Sequence, residues 1–125
     1  MNRSRMAVRR ISTHEIDVVR RAVQSAPVEG IQLPSLENLE SLNVVSRCGC
    51  GCASVDFRLL GAGEIAEVVA DAIGETSSGE EVGVLVFGLN GRITGLEIVG
   101  YSDSPADLPI ASTVRRQIGF DDQRQ

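Results

Sequence analysis

Residues 80–101 read EEVGVLVFGLNGRITGLEIVGY, and the reading of this stretch decides the fold. Two apolar runs flank Asn90-Gly91, and both turn residues tolerate the positive φ that a two-residue type I′ turn demands. The runs are therefore expected to fold back as antiparallel strands. An unbroken register places Leu89 opposite Arg92, Phe87 opposite Thr94, Leu85 opposite Leu96 and Gly83 opposite Ile98 on one face. The other face carries Val82, Val84, Val86 and Gly88 opposite Val99, Glu97, Gly95 and Ile93. Both faces are mostly apolar, whereas a sheet with one wet side alternates apolar with polar residues, so each needs a cover. An N-terminal helix is available for one. More strands, or a second copy of the chain, are the candidates for the other. Glu97 is the exception, read either as a buried acid with a raised pKa or as a rim acid that reaches water or an arginine.

Upstream, Ser12-Thr13-His14-Glu15 has the pattern of a capping box, in which the serine hydroxyl takes the third amide and Glu15 returns to the cap. A helix should start there and stop at Pro27. Ile16, Val19, Val23 and Ala26 form its apolar stripe, with Asp17, Arg20, Arg21 and Gln24 outward. Residues 27–42 are a connector in which Leu36, Leu39 and Leu42 suit one helical turn. From Asn43 the pattern turns to strand, through Arg47, a Cys/Gly run and Ala53 to Leu60, with Gly49 and Gly51 inviting a bend or hairpin between two strands. Residues 64–73 fit helix or strand; strand is preferred, because a meander then runs from Asn43 to Tyr101 with short loops. A short helix is expected near residues 111–118.

The expected fold class is α+β, an N-terminal amphipathic helix packed on a mainly antiparallel four- to five-stranded meander sheet. Residues 1–11 read as a flexible basic arm, 12–120 as a single α+β domain and 121–125 as a frayed tail. At 125 residues the chain can bury a core without staples.

All twelve basic residues are arginine and the net charge is −5. Residues 1–21 hold six arginines against Glu15 and Asp17, a net of +4, so the rest of the chain carries −9. An acidic body without interleaved aromatics does not suit nucleic acid, which needs a concentrated basic surface. No apolar run reaches the length of a membrane span, and no hydrophobic segment of a secretory signal follows the first arginines. A cytoplasmic protein is expected, with no membrane partner, whose cysteines are thiols or metal ligands rather than a disulfide frame.

Cys48, Cys50 and Cys52 alternate with glycine. In an extended strand all three sulfurs line one side, with Cα atoms about 6–7 Å apart. Thiolates are the preferred ligands of zinc and of iron–sulfur clusters, and a fourth ligand would have to be His14, a carboxylate or a second chain. The other readings are small core residues and thiol redox chemistry. Cys48-Gly49-Cys50-Gly51 resembles the Cys-Gly-Cys-Gly segment of A-type iron–sulfur assembly scaffolds, which use those two cysteines and a third far upstream. The resemblance covers some five residues, and this chain has no upstream cysteine. Residues 90–99, taken with 47–54, resemble a group of small uncharacterised bacterial proteins with a Cys/Gly-rich strand and a G-R-x-x-x-L-E-[IV] hairpin. Over residues 43–110 that resemblance implies an antiparallel sheet with a helix, and no activity.

One histidine, no lysine and no nucleophile elbow leave no catalytic constellation. Gly61-Ala62-Gly63-Glu64 is a turn without the lysine of a phosphate loop. The function expected is a noncatalytic protein-interaction module that self-associates, forms a homo-oligomer such as a homodimer, and meets a protein partner. The alternative is a zinc or iron–sulfur protein using Cys48, Cys50 and Cys52, with His14 as the candidate fourth ligand.

Overall fold

The computed structural model describes residues 9–117. Residues 1–8, most of the expected arm, and the tail at 121–125 lie outside that range, as does Ile118. The class is α+β. A short strand β1 (Arg9–Arg10) leads into helix α1 (Thr13–Ser25), then a 3₁₀ turn at Leu39–Ser41. Strands β2 (Asn43–Val44), β3 (Ser46–Arg47), β4 (Val55–Asp56), β5 (Glu67–Glu75), β6 (Glu81–Leu89) and β7 (Arg92–Val99) follow. A second 3₁₀ turn at Ala111–Thr113 precedes β8 (Arg115–Arg116), where a short helix was expected.

Strand β1 pairs with β2 apart from the main sheet, so Arg9 and Arg10 belong to the folded body. The main sheet has six strands in the order β3-β4-β7-β6-β5-β8, all pairs antiparallel. The expected strand at 64–73 is present as β5 and runs directly into β6 and β7. The expected unbroken meander is not the path taken. Strand β4 joins β7 rather than β5, so residues 57–66 carry the chain from one side of the central hairpin to the other.

The hairpin turns as its sequence demands. Asn90 has φ 54° and Gly91 φ 80°, the two positive values of a type I′ turn. Leu89 pairs with Arg92 and Gly88 with Ile93, as expected. Beyond them a β-bulge at Thr94 inserts one residue, so that Phe87 faces Gly95, Val86 faces Leu96, Leu85 faces Glu97 and Val84 faces Ile98. The pairings expected beyond Gly88 are therefore each shifted by one. The physical reason lies in Glu97. An unbroken register would set its carboxylate among Val82, Val84 and Val86, which are at most 1% exposed, and an unpaired buried charge is costly. The extra residue flips the rest of the strand, because side chains alternate with period two. Glu97 emerges into solvent, while Leu96 and Ile98 enter the core.

Helix α1 covers that core face. Ser12 is its N-cap: the Ser12 hydroxyl accepts from the Glu15 amide at 3.0 Å, and Glu15 Oε1 accepts from the Ser12 amide at 2.9 Å. The buried stripe is Val18, Val19, Ala22 and Val23, continued by Ala26. It is rotated slightly from the expected one, leaving Ile16 only half-buried. After Ala26 the chain pairs along β5, through Asp71 N to Ala26 O at 3.0 Å and Val28 N to Val69 O at 3.0 Å. Gly74 of β5 lies where Pro109 crosses, and a Cβ there would stand 2.9 Å from the proline ring.

Glu15 is buried, and both of its oxygens accept from Arg9, at 3.0 and 2.8 Å. Burial alone would push its carboxyl up. The bonds from Arg9 and from Ser12 outweigh this and hold it below its ordinary value of 4.5. The stability it contributes is therefore complete above that value and is lost as pH falls through the lowered one. Glu15→Gln should cost about 1 kcal/mol at pH 7, a bidentate pair and a cap bond discounted for the exposed guanidinium. The cost should shrink at pH 3. Urea unfolding of both proteins at the two pH values measures it, and an equal cost at both would contradict the assignment.

Candidate metal centre

Strands β3 and β4 are two residues each, held in register by Ser46 opposite Asp56 and Arg47 opposite Val55. The loop between them carries the three cysteines. The bend or hairpin expected at Gly49 and Gly51 is present between these two antiparallel strands, so the three cysteines do not lie along one extended run. The Gly51 amide bonds back to Cys48 O at 3.4 Å and Gly51 has φ +94°, so Cys48 to Gly51 is a turn that only a residue without a side chain closes easily. The turn gathers the thiols more closely than a strand would. All three sulfurs lie within 4.8 Å of one another. Cys48 Sγ and Cys50 Sγ are 2.7 Å apart.

The sulfurs are held by local hydrogen bonds. The Cys50 amide donates to Cys48 Sγ and the Cys52 amide to Cys50 Sγ, each at 3.4 Å. The Cys52 thiol donates to Ser54 Oγ at 3.4 Å. Ser54 is itself fixed, because its hydroxyl accepts from the Ile98 amide at 2.8 Å. A second tie, Ala53 N to Ala106 O at 2.9 Å, holds the loop against the segment that follows β7. The loop is thus anchored to the end of the central hairpin, while Cys48 and Cys50 themselves remain exposed.

These contacts divide the thiols electrostatically. Cys48, whose proton is favoured by its contact with the Cys50 sulfur, is pushed up to about 11. Burial would raise Cys52, yet contacts with Ser54, Cys50 and Cys48 that favour its thiolate form prevail and bring it down to about 7. The hydrogen bond that stabilises a charged sulfur lowers its pKa, and the one that stabilises its proton raises it.

The thiols line an open cavity of about 870 Å³ on the sheet face away from α1. Its floor is β4 and β7, including Asp56, Glu97 and Val99, with Phe87 beside them. One wall is residues 58–66, braced by Arg58, whose Nη2 donates to both oxygens of Glu64 at 3.0 and 2.9 Å. Glu64 also accepts from the Gly61 amide at 2.8 Å, so this glycine-rich turn is filled by its own carboxylate. The other wall is residues 100–106.

His14 is not part of the cluster. It sits in the first turn of α1, where its Nε2 is 2.7 Å from Pro109 O. Among the described residues the three cysteines form the one group of His, Cys, Asp and Glu side chains with metal-ligand spacing. The cavity walls were invisible to sequence reasoning, because Leu60, Ile65 and Pro105 are brought together only by the crossing of residues 57–66 and the return after β7. No local pattern marks Ser54 as the residue that ties the loop to Ile98.

No helix among the described residues is long and apolar enough to cross a membrane. No protein-family model matches the chain, and no curated protein and no solved structure matches it.

The thiolate is the reactive form of cysteine, so the lowered Cys52 should react at lower pH than Cys48. In metal-free reduced protein, iodoacetamide labelling of Cys52 should reach half its maximal rate near pH 7 and outpace Cys48 at pH 7.5, as read by peptide mass spectrometry. Faster labelling of Cys48 at that pH would contradict the hydrogen-bond pattern.

Proposed function

We propose that the chain is a metal-binding protein whose ligands are Cys48, Cys50 and Cys52. The observation that carries this reading is the gathering of three sulfurs within 4.8 Å on an exposed turn. Thiols used only as small core residues would be buried, whereas Cys48 and Cys50 are exposed and Cys52 is only half-buried at the core's edge. Amide donation to Cys48 and Cys50 is the outer-shell support that ligating sulfurs receive. A single thiophilic ion fits better than an iron–sulfur cluster, because the usual clusters take four thiolates and the chain has three cysteines.

The expected result is one ion per chain after anaerobic reduction and loading with cobalt or cadmium, seen as thiolate charge-transfer absorption and by elemental analysis. Replacing all three cysteines by serine should abolish the absorption. The fold should survive, with stability within about 0.5 kcal/mol, as for surface positions. Retention of metal by the triple variant would sink the reading.

Self-association is a second reading, favoured by apolar side chains at the cavity mouth. Ile65 is 79% exposed and Leu60 41%. Singly exposed apolar residues are ordinary, but these adjoin the half-buried Phe87 and Val99. Light scattering should give a dimer mass at about 100 µM and a monomer mass for Ile65→Glu, concentrations at which a weak interface is still populated. A monomer for the unaltered chain at that concentration would rule this reading out.

A further inference from the structure

We infer that the ion is copper(I), held by three sulfurs in a three-coordinate site with no fourth ligand from the chain. The inference rests on the metal-binding reading above and narrows it to one kind of ion.

Ligand supply is the first ground. The chain has three cysteines and one histidine, and His14 Nε2 is 2.7 Å from Pro109 O, away from the cluster. Among the described residues no carboxylate joins the sulfurs at ligand spacing. Structural zinc is almost always four-coordinate and tetrahedral, so three sulfurs leave it one ligand short. Copper(I) is soft, is selected by thiolates, and does not require an oxygen ligand to complete its shell.

Space is the second ground. Three sulfurs at about 2.3 Å from one ion in a plane stand about 4 Å apart, a spacing that follows from the metal–thiolate bond length. The cluster is already within 4.8 Å overall, and the Cys48–Cys50 pair, at 2.7 Å, must open by about an ångström. A Cβ built at Gly49 would meet nothing within 4 Å, so the turn has room to move.

The third ground is that the fold is complete without the ion. A structural zinc site supplies folding energy to the domain that holds it. Here a buried core from Ile11 to Val114 excludes Cys48 and Cys50 altogether. The ion is therefore cargo on a finished scaffold. The sulfurs open on a cavity of about 870 Å³, from which an incoming thiolate of another molecule can reach the ion and replace these ligands one at a time.

The test supplies copper(I) anaerobically to the reduced full chain in competition with bathocuproine disulfonate. It is repeated for Cys48→Ser, Cys50→Ser and Cys52→Ser, with circular dichroism as the check on folding. The expected result is one copper(I) per monomeric chain, three sulfur neighbours in X-ray absorption, and at least a tenfold loss of affinity in each single variant. Any single variant with unaltered affinity would show a two-sulfur site and overturn the inference. So would two chains sharing an ion, or zinc bound by the same chain with four protein ligands, although both outcomes leave the metal-binding reading standing. Failure to bind copper(I), zinc, cobalt or cadmium would remove both.

Discussion

The one-residue bulge at Thr94 is the constraint on which the rest of the molecule depends. The two strands of the central hairpin are apolar on both sides, so either side could have faced the helix. One residue decides between them. With the bulge, Val82, Val84 and Val86 share their face with Leu96 and Ile98, and all five are at most 3% exposed. Without it, Glu97 would take a place on that face, and a carboxylate desolvated without a partner costs more than any aliphatic pair returns. Thr94 itself is buried and its carbonyl accepts from the Phe57 amide at 2.8 Å, so the residue that breaks the ladder between β6 and β7 is recovered by the chain beyond β4.

The same bulge creates the opposite face. Leu85, Phe87 and Val99 are left half-buried, with Glu97 exposed among them. This face is neither wet enough to be a plain solvent surface nor dry enough to be a core. Residues 58–66 and 100–106 wall part of it and leave a cavity over β4 and β7. The crossing of residues 57–66 is thus more than a connection. In joining one side of the hairpin to the other it must pass over an open sheet face, and the Arg58–Glu64 pair fixes the shape it takes there.

Much of this was legible locally, and the limits of legibility were local too. The type I′ turn and the capping box at Ser12 and Glu15 each follow from residues within a few positions of one another, whereas residues 64–73 fit helix as well as strand by local pattern. The bulge does not follow locally, because it is decided by what Glu97 would meet across the sheet. Strand order is similarly nonlocal. Nothing in the Val55-Asp56 dipeptide says that it will pair with Gly95 and Leu96 rather than with the next strand. For the site, the sequence named the three sulfurs and the bend at Gly49 and Gly51, but not how closely the turn would gather the thiols. Gly51, at φ +94°, is where the turn closes. His14 was the candidate fourth ligand because it is the chain's single histidine. Helix packing sets it against Pro109 instead.

The placement of the thiols separates stability from chemistry. The core is aliphatic and closes around α1, β5, β6 and β7, while the cysteines sit on a loop joined to it through Ser54 and Ala53. Such an arrangement lets the loop be orderly without being essential. The Ser54 hydroxyl and the Ala53 amide fix where the loop stands, and the exposed turn leaves Cys48 and Cys50 room to move. A site buried in the core would hold an ion more tightly but could not exchange it without opening the fold, whose cost is that of partial unfolding. A site on an unanchored loop would lose the gain of preorganisation, since ordering three side chains at the moment of binding opposes it. The observed loop lies between these extremes, pinned at its base through Ser54 and Ala53 and open at its tip.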